Sequence, residues 1–511
     1  MKSRISKCIT AMTLFAPLAI PLQLAAQKQT IDFRHYKLID IGTFGGPASY
    51  FTEPGIGRGE LVLNSQGMLA GKSETSTPDF HSGTCPPICF DTKVFRWKRG
   101  VLTAFDGLSK AVNNSDVASI NARGWISGNS ATGDTDPLTG GQVVHAVLWK
   151  DDEITDLGTL GGLWSSGSYV TDGGAVVGIS TINTIPDPFS FLGASIHSFV
   201  WKNGAMRDLG TLGGPDALPG SSCANASSNR VTGFSFIDST PNPQTGVPTA
   251  HPFLWENGKM TDLGTLGGTM VQLDAAQCVN NRGQVAGVST LPGDQIIHPF
   301  LWDHGVLTDL GTLGGDFTIT TWLNDAGDVV GGTTTPGDAL FRATLWRNGA
   351  ITDLGALDND CISIAHAINS KGQIVGESDL SCDFTAGLKA VLWDKEAMVD
   401  LNTLIPADSS LHLIVGANIN DRGEIAGQGL AGCNDVDACG HDFLLIPVCE
   451  DGTEGCADAP LDPALIAESR ASSGSAPKTM TPDELATLKE RISLMRGRTA
   501  RRNPGFGLSS R

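Results

Sequence analysis

The sequence predicts an all-β fold built from repeated four-stranded units, and three observations predict it. Of 511 residues, 63 are Gly and 26 are Pro, which is too many turn formers for a mainly helical protein. A strand pattern ending in Trp recurs along the chain, with characteristic turn sequences on both sides. A composition of 40% apolar and 17% charged residues excludes a mostly disordered chain and a multi-span membrane protein.

Residues 1–26 predict a secretory signal peptide. Three basic residues and no acidic residue flank the start of an apolar stretch from Ile9 to Leu24, and Leu24-Ala25-Ala26 is the expected cleavage site. Pro17 and Pro21 interrupt the stretch, which is too short to favour a membrane span. We therefore expect a secreted protein, in the periplasm or outside the cell.

Residues 27–447 are predicted to form the repeated domain. Each copy has a strand ending in Trp, a short turn that is often Asn-Gly, and a strand ending in Asp-Leu-Gly, and successive Trp residues lie 44 to 54 positions apart. Asn-Gly is a strong hairpin signal because a primed turn needs positive φ at both central residues. The recurring residues are His145, Trp149, Asp156, His197, Trp201, Asp208, His251, Trp255, Asp262, His298, Trp302, Asp309, Trp346, Asp353, Trp393 and Asp400.

A second hairpin precedes each Trp strand and reads Asn-x-x-Gly, followed by a strand of the Val-Val-Gly type. Six copies keep the Asn, at Asn64, Asn121, Asn280, Asn324, Asn369 and Asn420, and two replace it, at Thr171 and Ala226. Each unit therefore has four short strands joined by polar turns.

Counting the strands predicts how the domain closes. All three motifs occur eight times on three conditions: His441–Pro447 is a Trp strand without its Trp, Asp40–Gly46 is the first Asp-Leu-Gly copy, and Ala104–Leu108 is a degenerate second copy. The repeat therefore begins with the last strand of one unit and ends with the strand that should precede it. This predicts an eight-bladed β-propeller closed by pairing of Tyr36–Ile41 with Asp442–Ile446. An open β-solenoid is the alternative, but it would need capping repeats instead of matching half-units.

The repeat resembles the HAF repeat family of bacterial extracellular proteins, named for His-Ala-Phe at the start of a strand. The resemblance rests on His145-Ala-Val-Leu-Trp149 and its copies, the Asn-Gly turns and the DLGTLGG sequences, and it covers residues 36–447. It implies secretion and a repeat architecture, but no established activity. The chain departs from the motif at Arg342 and Lys389, where His is expected.

The recurring polar residues are interpreted first as structural. We expect each His to bond a carbonyl of the adjacent turn and each Asp to accept backbone N–H bonds. A ring of His residues as a metal or anion site is the alternative. The Trp side chains are expected to pack between blades, with stacking of a sugar as the alternative.

Sequence departures from the repeat are the expected binding elements. They are Glu53–Glu60, Ser73–Asp91, Ala131–Gln142, Thr181–Ser195, Ser235–Ala250 and Gly429–Gly440. Most lie between the Asn-x-x-Gly hairpin and the Trp strand, so we expect them on one rim of the propeller. Asp134, Asp136, Asp187, Asp238, Asp294 and Asp338 are candidate Ca²⁺ ligands there, but none has the dense spacing of a calcium loop. We therefore expect no cofactor.

Ten cysteines beyond the signal peptide predict disulfides, in agreement with export. Close pairs are Cys85/Cys89, Cys361/Cys382, Cys433/Cys439 and Cys449/Cys456, with Cys223 and Cys278 remaining. Free thiols and a zinc site are the alternatives, although the pairs lack the two-residue spacing of zinc ligands.

Charge separates the repeated domain from the tail. The net charge is −19, and removing the +3 of residues 1–26 and the +6 of residues 486–511 leaves −28 for the stretch between them. Such a surface repels phosphate backbones, so we expect no nucleic acid partner. Residues 448–480 read as a linker and residues 481–511 as an amphipathic helix with a basic end. That end could contact the propeller, anionic envelope lipid or an export partner.

These observations favour a monomeric, exported, non-enzymatic binding or scaffold protein that uses one propeller face for a protein or glycan ligand. The alternative is a secreted polysaccharide hydrolase or lyase with its active site in the central channel. We found no nucleophile elbow, metalloprotease helix, phosphate loop or dinucleotide fingerprint. The sequence names no catalytic residue.

Overall fold

The computed structural model describes residues 33–490, apart from 52–60, 80–88, 113, 138–139, 191–192, 221–228, 244–245, 247, 270–275, 359, 384–386, 396, 450–451, 455 and 472–477. The chain divides into two compact units, Met1–Asp32 and Phe33–Arg511, and all described residues belong to the second. The predicted signal peptide lies outside the described residues.

Four strands form each repeat unit, and we number the units in chain order. Strand β1 (His35–Asp40) comes first. Unit 1 is β2 (Gly45–Tyr50), β3 (Leu69–Asp79), β4 (Cys89–Lys98) and β5 (Val101–Phe105). Unit 2 is β6 (Ser115–Ile120), β7 (Ile126–Thr135), β8 (Gln142–Lys150) and β9 (Glu153–Asp156). Unit 3 is β10 (Ser165–Val170), β11 (Val176–Thr181), β12 (Ile196–Lys202) and β13 (Ala205–Asp208). Unit 4 is β14 (Ala217–Pro219), β15 (Arg230–Pro241), β16 (Pro248–Glu256) and β17 (Lys259–Asp262).

The second half of the domain repeats the same order. Unit 5 is β18 (Cys278–Val279), β19 (Val285–Thr290), β20 (Ile297–Asp303) and β21 (Val306–Asp309). Unit 6 is β22 (Thr318–Leu323), β23 (Val329–Thr334), β24 (Phe341–Arg347) and β25 (Ala350–Asp353). Unit 7 is β26 (Ile362–Ile368), β27 (Ile374–Asp379), β28 (Lys389–Asp394) and β29 (Ala397–Asp400). Unit 8 is β30 (His412–Ile419), β31 (Ile425–Leu430), β32 (Gly440–Val448) and β1.

Neighbouring strands within every unit are antiparallel and follow the chain in order, except that β1 is the fourth strand of unit 8. One parallel pairing, Phe341 with Ile362, joins units 6 and 7 into a larger sheet. The prediction of an all-β fold made of four-stranded units is therefore confirmed. Strand β1 pairs with β32 from His35 opposite Val448 to Asp40 opposite Phe443, which is the pairing of distant strands that the half-units predicted.

The Asn-x-x-Gly turn has the same construction from unit to unit. The Asn121 side-chain oxygen accepts backbone N–H bonds from Arg123 and Trp125, both at 3.0 Å. Gly124 has a φ of 82°, which disfavours residues with a side chain. The glycine of the following strand allows the neighbouring strand to approach closely, because a Cβ on Gly128 would lie 1.9 Å from the carbonyl oxygen of Asp116. The recurring glycines are thus required by turns and strand contacts.

The apolar core lies between successive units. One cluster joins Ala70 and Val94 of unit 1 to Val117 and Trp149 of unit 2. Another joins Leu69 and Phe95 of unit 1 to Ala426 and Leu444 of unit 8. Burying each large side chain contributes about 1.5–3 kcal/mol, so neighbouring units stabilise one another.

Two helices, one before β32 and one after it, accompany the repeat. Helix α1 (Val436–Cys439) precedes β32, and helix α2 (Pro463–Ala471) lies within the stretch predicted as a linker and contacts β29. The fully buried Arg34 joins this segment to unit 7 by donating to Asp394 at 2.5 Å and to the carbonyl of Ala457 at 2.7 Å. No helix among the described residues has the length and apolar character needed to cross a membrane.

Residues 482–490 form a helix within the stretch 481–511, where the sequence predicted an amphipathic helix. Its capping box is formed: the Thr481 N–H donates to the Glu484 carboxylate at 2.8 Å, and the Glu484 N–H donates to the Thr481 hydroxyl at 3.2 Å. Leu488 is fully buried in a cluster with Phe317 and Phe341. The helix therefore packs on unit 6.

Candidate binding face

Each unit presents two ends of different construction. The turn between its first and second strands and the turn between its third and fourth strands lie together, and we name this the turn end. The connection between the second and third strands and the connection to the next unit lie at the opposite end, which we name the loop end. This follows from the antiparallel strand order.

The Asn-x-x-Gly turns of six units line one pocket of about 200 Å³ at the turn end. Val170, Ile368 and Ile419, the last residues of the first strands of units 3, 7 and 8, line it as well, and so does Leu63 of unit 1. In units 3, 7 and 8 the first strand therefore ends at this pocket, which favours the first strand as the innermost one, a point that the sequence left undecided.

A series of hydrogen bonds connects these turns. The Asn side-chain amide of one unit donates to the backbone carbonyl of the corresponding residue in the next unit. The donors and acceptors are Asn64 to Asn121 (2.7 Å), Asn121 to Thr171 (2.9 Å), Asn280 to Asn324 (3.1 Å), Asn324 to Asn369 (3.4 Å), Asn369 to Asn420 (3.0 Å) and Asn420 to Asn64 (3.0 Å). The last bond joins unit 8 to unit 1.

Carboxylates of the pocket also hold neighbouring turns together. Asp172 accepts the Ala122 N–H at 2.8 Å, and Asp421 accepts the Ser370 N–H at 2.9 Å. Asp325 likewise accepts the Asn281 N–H at 3.0 Å. These contacts give the polar groups a structural role. Among the described residues, no group of three or more His, Cys, Asp or Glu side chains could hold a metal ion.

At the loop end, the recurring His and Asp residues bind each other. The Nδ1 atom of the His at the start of the third strand lies 2.8–2.9 Å from the carboxylate that ends the fourth strand. The pairs are His145–Asp156, His197–Asp208, His251–Asp262 and His298–Asp309. In unit 8, His441 lies 3.0 Å from Asp40, and this contact joins β32 to β1. The partner of the His is thus a carboxylate, whereas we expected a turn carbonyl.

The pKa is lowered for Asp40, Asp156, Asp208 and Asp262 of these pairs. Partial burial raises the pKa of Asp262, but the hydrogen bonds from His251 and from the Gly264 N–H outweigh burial and hold the pKa below its ordinary value of 3.8. The pKa of Asp156 is lowered in the same way. In every pair within one unit, His and Asp are 11 residues apart. That constant spacing was the signal for the pair in the sequence.

Units 6 and 7 lack the His and use other contacts. Arg342 donates to the carbonyls of Asp360 and Cys361 at 3.0 and 3.1 Å. Lys389 lies 3.4 Å from the Asp358 carboxylate. Asp353 accepts the Gly355 N–H at 2.8 Å, and Asp400 caps a short 3₁₀ helix by accepting the Asn402 N–H at 2.9 Å.

The recurring Trp side chains pack between units. Their indole N–H groups donate to carbonyls at the end of the preceding unit: Trp149 to Asp106 (3.1 Å), Trp346 to Gly311 (3.0 Å) and Trp393 to Leu354 (2.9 Å). Trp97 and Trp255 are also buried, while Trp201 and Trp302 are partly buried. Buried rings offer no surface for a sugar to stack on.

Three sequence departures are extensions of the middle strands at the loop end. In units 1, 2 and 4 the second and third strands continue past an irregular register and pair again, at Pro78–Phe90, Thr135–Gln142 and Pro241–Pro248. Side chains on the extended parts of β7 and β15 are mostly exposed. The departure Thr181–Ser195 is a loop, and Gly429–Gly440 contains α1. The departure Glu53–Glu60 lies outside the described residues.

The candidate Ca²⁺ ligands form hydrogen bonds within their own connection or with the adjoining one. Asp187 accepts from the Phe189 N–H and the Ser195 hydroxyl, at 2.9 and 3.0 Å. Asp294 and Asp338 each accept a backbone N–H from the adjoining connection, at 2.7 and 2.8 Å. Asp238 accepts the Thr240 N–H, and Asp134 accepts from the Thr132 hydroxyl. Asp136 lies in the same connection as Asp134. The structure does not bring these six residues together.

Unit 7 buries four ionisable side chains that sequence reasoning missed. They are Asp360, His366, Glu377 and Asp379, each at most 1% exposed. His366 Nε2 lies 3.5 Å from Glu377 Oε2. Burial raises the pKa of Asp379 to about 7, although that carboxylate accepts the Ser381 N–H. Their burial keeps these groups from a substrate in solution.

Three predicted disulfides are formed: Cys361–Cys382, Cys433–Cys439 and Cys449–Cys456. Cys278 is also disulfide-bonded. Cys85, Cys223 and the side chain of Cys89 lie outside the described residues. Three disulfides indicate an oxidising compartment such as the periplasm or the cell exterior.

No protein-family model matches the sequence, and no curated protein matches it. Among solved structures, the β-propeller domain of the trilobed protease from Pyrococcus furiosus is 9% identical, with a TM-score of 0.39 over 69% of this chain and 98% of that chain. TolB from Acinetobacter baumannii is 9% identical, with a TM-score of 0.32 over 82% of this chain and 98% of that one. Trypanosoma rangeli sialidase is 9% identical, with a TM-score of 0.30 over 90% and 99%. At this identity, these likenesses assign no activity to the chain.

Proposed function

We propose that this chain is an exported, non-enzymatic binding or scaffold protein of the HAF repeat type, and that the loop end is its binding face for a protein or glycan. The observation that carries the proposal is that the side chains at the two ends differ in their contacts and exposure. Polar groups of the turn-end pocket bond neighbouring turns, whereas the strand extensions of units 1, 2 and 4 present exposed side chains at the loop end.

The architecture we propose for this face is an eight-bladed propeller closed at unit 8. Three contacts between units 8 and 1 support closure: the Asn420 to Asn64 hydrogen bond, the shared apolar cluster of Leu69 and Leu444, and the completion of unit 8 by β1. A closed ring fixes the spacing of the loop-end connections, and fixed spacing suits multivalent recognition of an extended ligand.

Export is the second part of the proposal. The three disulfides support an oxidising compartment, and the apolar segment before residue 27 supports a cleaved signal peptide. The alternative of a polysaccharide hydrolase or lyase needs an acid and a base that converge on the substrate. The turn-end carboxylates bond backbone N–H groups instead, so binding is the better supported role.

Binding of the purified protein to an immobilised glycan array and to candidate cell-surface proteins tests the proposal. In one variant, residues 237–249 are replaced by Asn-Gly, which removes the extension of unit 4 at the loop end. The matched control replaces Asp151 and Asp152 with Asn at the turn end. We expect the first variant to lose binding and the control to keep it. Equal binding by both variants, or release of sugar fragments from a polysaccharide, would overturn the proposal.

A further inference from the structure

Basic residues are unevenly divided between the two ends of the repeat. In the described part of the domain, only four basic residues lie in the loop-end connections or near the loop-end starts of the third strands: Lys93, Lys110, Arg342 and Lys389. Arg342 is buried, Lys93 lies 2.7 Å from Asp106, and Lys389 is paired with Asp358. These cations therefore neutralise little of the surrounding charge.

Aspartates are far more numerous at the same end. Every unit except unit 1 ends its fourth strand with Asp, and the connections add others, such as the exposed Asp316 and Asp408. At the turn end, by contrast, acidic and basic residues alternate and pair, as in Arg347–Asp328 at 2.9 Å and Arg230–Glu256 at 2.8 Å. The strongly negative charge of the repeat is thus concentrated at the loop end.

The tail helix is anchored at this acidic end. The Met480 N–H donates to the carbonyl of Ala339, in the connection between the second and third strands of unit 6, at 2.7 Å. Leu488 is fully buried, and the Lys489 ammonium lies 5.3 Å from the centre of the Phe317 ring. The chain therefore leaves residue 490 beside the loop-end connections of units 5 to 7.

Residues 491–511, which follow the anchor, are strongly basic. They contain six arginines and no acidic residue. An extended chain advances about 3.4 Å per residue, so this segment is long enough to cross several loop-end connections. Its positive charge complements the negative charge of the loop end, beside which residue 490 lies.

We propose that residues 491–511 dock in cis on the acidic loop end, across the connections that contain Asp316, Asp358 and Asp408. The loop end then recognises cationic polypeptide. This inference rests on the proposed loop-end binding face and names the chemistry of its partner.

A synthetic peptide of residues 491–511 tests the docking in trans. Its acceptor is the full chain with Arg496, Arg498, Arg501 and Arg502 replaced by Gln, so that the attached tail competes weakly. We expect fluorescence anisotropy to report binding that is at least about tenfold tighter than to the unmodified chain. Raising the salt from about 20 mM to about 300 mM should weaken this binding by more than about tenfold.

Matched acceptor variants locate the site. Asp316→Asn, Asp358→Asn and Asp408→Asn together, introduced in the same acceptor chain, should weaken peptide binding by about tenfold. The turn-end control, Asp151→Asn with Asp152→Asn and Glu153→Gln, removes the same charge and should leave binding unchanged. Circular dichroism and thermal unfolding verify that both variants are folded. Equal weakening by both variants would overturn the proposal, because it would indicate attraction by net charge alone.

Two further outcomes separate this inference from the proposed function. Peptide that binds vesicles of anionic lipid but not the protein would overturn the cis docking, while ligand binding that depends on the unit 4 extension would leave the proposed function standing. Peptide binding to the loop end without any glycan or protein ligand would support the docking and leave the binding role without support.

Discussion

At the residue scale, polar side chains that recur in this repeat contact one another or a neighbouring turn, and each contact has a structural role. The His–Asp contact closes the loop end of a unit, while the Asn side chain connects the turn end of one unit to the next. The sequence predicted that these residues were structural, but it assigned the His to a carbonyl. Repeat position alone does not identify contacts, because it says which residues are equivalent and not which ones meet.

Replacing His251 with Ala tests the His–Asp pair. Asp262 is partly exposed, so solvent screening limits the expected loss to about 0.5 kcal/mol at neutral pH. Because the folded-state pKa of Asp262 lies below 3.8, the stabilisation is complete above that pH and is lost as the pH falls through the folded-state pKa. Urea unfolding at pH 7 and at pH 3 measures this difference. His412→Ala is the control because the His412 ring contacts the carbonyl of Leu388 at 3.2 Å, and an equal loss there would contradict a special role for the His–Asp pair.

Asp379 predicts a pH dependence of opposite sign. Its folded-state pKa of about 7 means that the folded protein keeps a proton that the unfolded chain releases above 3.8. Stability contributed by this group therefore falls as the pH rises from 3.8 to about 7. Asp379→Asn should remove that slope and be more stable than the unmodified chain at pH 8 by roughly 2–4 kcal/mol.

Thermal unfolding between pH 4 and pH 8 measures the effect of Asp379→Asn. Asp408→Asn, at an exposed position, is the control and should keep the slope. A slope that survives in Asp379→Asn would assign the proton to another buried group, such as Asp360, whose pKa is also raised by burial.

At the scale of elements, unit 7 differs from its neighbours at one repeat position. Three units use it to reach the next unit: Lys72 contacts Asp116 at 3.1 Å, Asn129 donates to Ser166 at 3.1 Å, and Gln428 donates to the carbonyl of Ser49 at 3.2 Å. In unit 7 the residue is Glu377, which faces His366 of its own unit. Unit 7 also has a disulfide, Cys361–Cys382, which joins the connection before its first strand to the connection between its second and third strands.

Removing that disulfide should destabilise the protein by about 3 kcal/mol, because its loop spans 21 residues. Cys361→Ala with Cys382→Ala should therefore lower the midpoint of thermal unfolding. The double Ala variant of Cys433 and Cys439, which are 6 residues apart, is the matched control and should cost about 2 kcal/mol. A larger loss in the control would contradict the loop-length argument.

Much of the element pattern could be predicted from the sequence, and the exceptions have physical reasons. Turn residues with positive φ angles mark turn-end hairpins among the described residues, so the four strands of a unit were evident from turns such as Asn203-Gly204 and Asn121-x-x-Gly124. Helix α2 was missed, although Asp462 accepts the Ala464 N–H as a cap and Pro463 begins the helix. The buried group of unit 7 was missed because tertiary packing, not local pattern, brings Asp360 and Asp379 into the interior.

For the whole molecule, the contact between β1 and β32 decides whether the repeat is a ring. Lys37 lies opposite Ile446 in that pairing. The count of strands in the sequence predicted that β1 pairs with β32, because the first and last strands of the repeat together complete one four-stranded unit. The charge difference between the loop end and the turn end was not evident, because composition averages over both.

An engineered crosslink tests closure of the ring. Lys37→Cys with Ile446→Cys places two thiols on directly opposed residues of β1 and β32, where a disulfide is geometrically allowed. We expect mild oxidation to give an intramolecular bond and a compact monomer on a non-reducing gel. Lys37→Cys with Lys98→Cys is the control and should remain uncrosslinked. Crosslinked dimers from the first pair would contradict closure within one chain.

Strand β1 has a consequence for the order of events during biogenesis. Its hydrogen-bonding partner is more than 400 residues away along the chain, in β32. As the polypeptide is delivered from one end, seven units have all their strands before β1 acquires a neighbour, and until then its edge is open to pairing with another chain. Folding of the last unit therefore waits for synthesis of nearly the whole repeat, and a protein of this design depends on protection of that edge until then.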